Sequence, residues 1–184
     1  MSLLAIDRIL QDIETLKTIT EPNEPFTRRA FTEKYLEGRK WLIAELKTMG
    51  LSPFMDNAGN LRAVLQGKSN ARIYFGSHSD TVPGGGAYDG ILGVVAGLEV
   101  LRYFTSHNIT PIKTLEFIDF LAEETSDWGI SCLGSRAITG ALTKDHLALS
   151  HPDTKEQLAT AIKRMGGNPE QLPTLQPLTS FKSS

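Results

Sequence analysis

Gly76-Ser77-His78-Ser79-Asp80-Thr81-Val82-Pro83, followed closely by Tyr88-Asp89-Gly90, sets one imidazole and two carboxylates on short turns around the run Gly84-Gly85-Gly86. Upstream of it, residues 72–76 read as a short buried strand that ends where the histidine turn begins. Downstream, Val94, Val95, Leu98 and Leu101 recur at helical spacing through residues 91–104. Residues 108–111 break that helix, and 113–121 read as a second strand running into Glu123-Glu124. Strand, loop, helix, strand is a βαβ unit, whose two strands lie parallel in one sheet. Sheets of this kind bind ligands at the carboxyl ends of their strands. His78 and Glu123-Glu124 both fall just past such ends, so topology and chemistry point to one shared site. The expected fold class is α/β: a mainly parallel mixed sheet flanked by helices.

Ahead of this unit, Ile6, Ile9, Leu10, Ile13 and Leu16 outline an amphipathic helix. A second helix is predicted over residues 33–49, with Thr32 as N-cap, Gly50 just past its end, and Leu36, Leu42, Ile43, Leu46 and Met49 as its buried face. Strands over 52–55 and 61–65, joined by Asp56-Asn57-Ala58-Gly59-Asn60, have hairpin chemistry and belong at or near a sheet edge. After Ala141 the pattern weakens to one short helix over 158–165, stopped by Gly166-Gly167. The chain from 168 onward carries Pro169, Pro173 and Pro177 among polar residues and reads as an exposed connector. The expected division is 1–165, the N-terminal part of a metal-binding catalytic domain, and 166–184, a polar, proline-containing connector.

At 184 residues, with 40% hydrophobic and 22% charged residues, the chain has globular composition and room for one domain with a core. A net charge of −2 argues against nucleic acid or an anionic membrane surface as partner. No run approaches the ~18–20 apolar residues that span a bilayer. Asp7, Asp12 and Glu14 interrupt the apolar positions near the start, unlike a signal peptide, so a cytoplasmic location is expected. The lone Cys132 forms no internal disulfide and reads as a small buried thiol.

Imidazole plus several carboxylates is a ligand set for divalent zinc or manganese, and paired ions activate water for hydrolysis. The glycine run lacks the lysine-bearing pattern of a phosphate loop, and suits close backbone approach beside the site. His107, His146 and His151 match no motif and read as surface residues. Arg136 suits carboxylate recognition, but an arginine at a helix start also serves as a structural anchor. Trp128 is expected to pack against the site loop.

The stretch GSHSDTVPGGGAYDGILGVVAGL, residues 76–98, resembles the metal-binding segment of the N-carbamoyl-L-amino-acid hydrolase and allantoate amidohydrolase group. That group belongs to a superfamily of di-metal amidohydrolases that also holds aminoacylases and zinc carboxypeptidases. AEETSDWGISCLGSRAITG, residues 122–140, is similar to the group specifically. The resemblance implies two divalent ions (zinc, manganese or cobalt), with His78 on one, Asp89 bridging and Glu124 on the second. It implies Glu123 as the general base, with Asp80 hydrogen-bonding the His78 imidazole from behind and fixing its tautomer. The implied reaction is hydrolysis of a non-peptide C–N bond in a small ureido or amide substrate.

The resemblance also implies relatives roughly twice as long, homodimeric, with later histidines completing the metal shell and a substrate-binding domain. The expectation is therefore an incomplete di-metal catalytic domain, a fragment inactive alone. A non-catalytic remnant or interaction module, and a peptidase or aminoacylase of the same superfamily, remain the alternatives.

Overall fold

The computed structural model describes residues 5–174. Helices α1 (Ile6–Thr18) and α2 (Glu33–Thr48) precede strands β1 (Phe54–Met55), β2 (Leu61–Leu65) and β3 (Ser69–His78). Helix α3 (Ile91–Ser106) then leads to β4 (Lys113–Phe120), followed by α4 (Leu133–Ile138), α5 (Lys144–Leu147), α6 (Leu158–Arg164) and a 3-10 turn, Pro169–Thr174. The four strands form one sheet in the order β1-β2-β4-β3. It is mixed and flanked by helices, as an α/β fold requires. Parallel pairing does not dominate it, however: β3 and β4 are parallel, while β1–β2 and β2–β4 are antiparallel. The parallel pair is the βαβ unit that ends at the candidate site.

The hairpin sits at the sheet edge, as expected. Its turn is held by Asp56 Oδ1, which accepts from the backbone of Ala58 and Asn60 at 2.9 Å each. Thr32 caps α2, its hydroxyl accepting from the Tyr35 N–H. Leu42 and Leu46 of α2 and Val94, Leu98 and Leu101 of α3 close a core with Leu61, Ala63, Leu115 and Phe117 of the sheet. Each such aliphatic side chain contributes about 1.5–3 kcal/mol by leaving water. Ile13 and Leu16 pack α1 against Ile91 and Val95 of α3. A further core gathers Leu121, Leu133, Leu158, Ala161 and Ile162 beneath the loops after β4.

Three expectations need correction. The strand read as buried over 72–76 runs over Ser69–His78 and lies at the other edge of the sheet, with Ile73 46% exposed. Its apolar residues mimic a core strand, but among the described residues it pairs on one side only. The buried face of α2 is Tyr35, Gly38, Arg39, Leu42 and Leu46, so a tyrosine and an arginine stand where only aliphatic residues were expected. The stretch read as a connector begins as the 3-10 turn, and Leu172 is buried with Leu158, Ile162 and Met165. Residues 175–184 lie outside the described residues.

Candidate metal centre

His78 ends β3 and is buried. Gly76, two residues earlier, allows the approach of β3 to β4, because a Cβ there would lie 1.8 Å from the Ile118 carbonyl oxygen. His78 Nδ1 lies 2.9 Å from the main-chain oxygen of Asp80. Nδ1 is thereby committed as a donor, and Nε2 is left facing outward. It lies 3.8 Å from Asp89 Oδ1 and 3.6 Å from Glu123 Oε2. The opposite side of the ring is closed by Gly90, which has φ +67° and where a Cβ would come within 2.4–2.6 Å of His78 atoms.

The carboxylate of Asp80 does something the sequence reading did not assign. Asp80 sits 1% exposed, and its carboxylate oxygens accept the backbone N–H groups of Glu123, at 3.3 Å, and Glu124, at 3.1 Å. The imidazole is hydrogen-bonded by Asp80's carbonyl, while the nearer carboxylate oxygen stands 3.6 Å away, too far for a good hydrogen bond. Asp80 therefore joins the turn after β3 to the turn after β4. Glu123 is held at its other end by the Cys132 N–H, which donates to the Glu123 carbonyl at 2.8 Å. Ala122 and Cys132, at φ 46° and 56°, adopt left-handed backbone rarely taken by residues with a side chain, and both flank Glu123 in space.

One ligand atom each from His78, Asp89 and Glu124 lies within 4.8 Å of the others. Among the described residues this is the grouping of histidine, cysteine and carboxylates that could hold a metal ion. Burial and the neighbouring Asp89 charge both raise the Glu124 carboxyl above its ordinary value. Burial opposes the charge on His78, but the adjoining Asp80, with Glu123 beyond it, outweighs that and raises the imidazole to about 9. The donor chemistry fits a divalent cation: an outward imidazole nitrogen with two carboxylates is a zinc- or manganese-type set. A cation would also relieve the crowding of like charges. The Asp89 side chain is 63% and the Glu123 side chain 41% exposed, so a small molecule can reach the site.

The other candidates are elsewhere or differently used. Cys132 is only partly buried, and its thiol lies 3.7 Å from Glu123 Oε1, so it borders the site instead of filling a core. Trp128 is buried and edge-on to Phe31 and His151, with its indole N–H donating to the Glu156 carbonyl. It thus supports the loop from below. His151 is partly buried there, not on the surface, with Nε2 3.8 Å from Asp127. His146 completes a capping box with Thr143, and His107 packs on Tyr103. Arg136 Nε donates to the Ser131 carbonyl, an anchoring contact.

The residues missed by sequence reasoning lie behind the turn. Asp119, fully buried in β4, accepts from Arg39 Nε at 2.9 Å and from the Ser79 hydroxyl at 3.0 Å. The signal for Arg39 was available: it stands four residues after Tyr35 and three before Leu42, on the buried stripe of α2.

Comparison with known proteins fits this geometry. The profile of peptidase family M28 matches residues 60–160, more than half of the chain. The chain is 33% identical, over 83% of its length, to an N-carbamoyl-L-amino acid amidohydrolase of Geobacillus stearothermophilus, of which it covers 38%. It is 32% identical, over 80% of its length, to a ureidoglycolate hydrolase of Oryza sativa subsp. japonica, of which it covers 31%. A crystal structure of a hydantoinase/carbamoylase family amidase from Burkholderia ambifaria superposes with a TM-score of 0.82 at 31% identity, over 90% of this chain and 41% of that one. The chain thus spans about two-fifths or less of the length of these relatives. On the matched profile, the chain belongs to peptidase family M28, and it resembles the N-terminal portion of carbamoylase-type amidohydrolases.

Proposed function

We propose that this chain carries the water-activating part of a metal-dependent hydrolase of non-peptide C–N bonds, acting on linear amides or amidines of the N-carbamoyl-L-amino acid or allantoate type. The observation that carries the reading is the meeting of His78, Asp89 and Glu124 beside Glu123, at the carboxyl ends of the parallel pair. In this reading His78 would hold one divalent ion, Glu124 a second, and Asp89 would serve both; zinc, manganese and cobalt all suit the donors. When bound, such ions would supply Lewis-acid chemistry toward the substrate carbonyl and the attacking water. Glu123, with its backbone fixed by Asp80 and Cys132 and its side chain open to solvent, takes the water's proton and returns it to the leaving nitrogen. Asp80 holds Glu123 and Glu124 in register with His78.

The same proposal takes residues 1–165 as part of the metal-binding catalytic domain, working in the cytoplasm, with the turn at Pro169–Thr174 packed on it through Leu172. Three donors among the described residues are few for two ions, so the 184-residue chain alone is proposed to turn over no substrate appreciably. The second reading is peptide hydrolysis, favoured by the name of the matched family. A chimera tests both: residues 5–174 replace the matching part of the Geobacillus relative. Hydrolysis of an N-carbamoyl-L-amino acid, strongly slowed by Glu123→Gln, is expected. Cleavage of a dipeptide instead favours the second reading, and a folded, metal-loaded chimera that cleaves neither refutes the proposal.

A further inference from the structure

A buried polar assembly lies directly behind the metal centre and contributes no ligand to it. Arg39 and Asp119 are 2% and 0% exposed. Arg39 Nε donates to Asp119 Oδ2 at 2.9 Å, Nη2 donates to the Asp119 carbonyl at 3.1 Å, and Nη1 donates to the Gly59 carbonyl. The Tyr35 ring covers the guanidinium 4.6 Å away. One residue therefore ties α2, the hairpin turn and the end of β4 together. Asp119 Oδ2 then accepts the Ser79 hydroxyl at 3.0 Å, and Ser79 lies between His78 and Asp80. A second buried arginine, Arg28, grips the same turn. Its Nε donates to the Ser79 carbonyl at 2.8 Å, and its backbone exchanges two 2.9 Å hydrogen bonds with Thr81.

Stability alone gives no reason for this choice of residues. A buried ion pair is commonly no better than apolar residues of the same volume. Here Asp119 Oδ1, Tyr35 Oη and Arg28 Nη2 are in addition buried without a hydrogen-bond partner, which costs free energy. What the assembly does supply is geometry. It fixes Ser79 from the inner side, while on the outer side Asp80 directs His78 by its carbonyl and Glu123-Glu124 by its carboxylate.

We propose that the Arg39–Asp119 pair is a positioning device, acting through the Ser79 hydroxyl to hold Asp80, and hence His78, Glu123 and Glu124, in register. Neither residue touches the reacting atoms. The inference rests on the reading that His78, Asp89 and Glu124 hold metal only for its consequence on affinity; the positioning itself is visible in the metal-free protein.

The test removes only the tether. Ser79→Ala is compared with the parent 184-residue protein in two measurements. In metal-free protein, nuclear magnetic resonance should show the His78 ring nitrogens shifted and the Glu123 and Glu124 amides exchanging faster, with the remaining amides of β4 unmoved. Zinc affinity should fall by about 10–100-fold, the usual cost of losing a partner behind a ligand. A purely structural hydroxyl would loosen β4 as a whole and leave the ring nitrogens where they were, and that result overturns the proposal. Unchanged ring, amide and zinc signals overturn it equally. If Ser79→Ala does not fold, Arg39→Lys keeps the charge, loses the forked grip on Asp119 and is judged by the same signals. A parent protein that binds no zinc would refute the metal reading, and the ring and amide signals would still decide the positioning.

Discussion

The two ends of the β3–β4 pair are built on opposite principles. At the carboxyl end, β3 and β4 finish in His78 and Phe120, and the turns beyond them enclose Asp80 with Asp119 and Ser79 behind. Polar side chains there are withdrawn from water and tied by directional bonds. At the amino end, Ile112 is 77% exposed and Ile109 and Ile73 are partly open, lining an apolar surface with Phe104, Pro111 and Leu115. Directional bonds between buried groups cannot relax when one partner is lost, whereas an exposed apolar side chain loses little. Change should therefore be costly at the first end and cheap at the second.

The largest expected effect on stability is at Arg39. Arg39→Ala leaves the Asp119 carboxylate buried and unpaired, and urea unfolding should show a loss of about 3–5 kcal/mol. An effect under 1 kcal/mol would mean the pair is not a strong element of the fold. On activity, Glu123→Gln in the folded chimera should leave metal content intact and lower turnover by about 10²–10⁴-fold, measured as released product. Metal loss in that variant would move Glu123 from base to ligand. Gly90→Ala forces a methyl against the His78 ring at positive φ and should destabilise the fold by about 1–3 kcal/mol, with weakened metal binding. At the opposite end, Ile112→Ser should change stability by no more than about 0.5 kcal/mol and leave metal binding untouched.

The pH dependence sharpens the same contrast. The folded His78 imidazole titrates at about 9, against 6.5 for an unperturbed histidine. Its stabilising contribution to the metal-free fold is therefore full below pH 6.5 and is lost as the pH rises through about 9. Thermal melting of the metal-free protein should fall across that window, and His78→Asn should flatten the fall. The same protonation means that a metal ion binding at neutral pH displaces a proton from His78, which calorimetry in buffers of different ionisation enthalpy detects.

Much of this was legible in the sequence because local patterns carried it. The spacing of Val94, Val95, Leu98 and Leu101, the turn chemistry of Asp56 to Asn60 and the place of His78 and Glu123-Glu124 at or just past strand ends each specify an element or its position. What escaped were pairings between distant residues. Period alone does not say that β3 is an edge, since Ile73 and Phe75 look the same in a core strand. Arg39 lies on the buried stripe of α2, yet its partner Asp119 is 80 residues away inside an otherwise apolar run. The role of Asp80 toward the Glu123 and Glu124 amides likewise depends on how two turns meet across the sheet.

His78, Asp89 and Glu124 are proposed to form a divalent-metal site. Titration of the purified protein with Co²⁺, followed by visible absorption, tests it most directly. A saturating ligand-field spectrum is expected, lost in His78→Ala and weakened in Asp89→Asn and Glu124→Gln, while Ile112→Ser keeps it. A spectrum that survives His78→Ala, or no saturable spectrum in the parent protein, would contradict it.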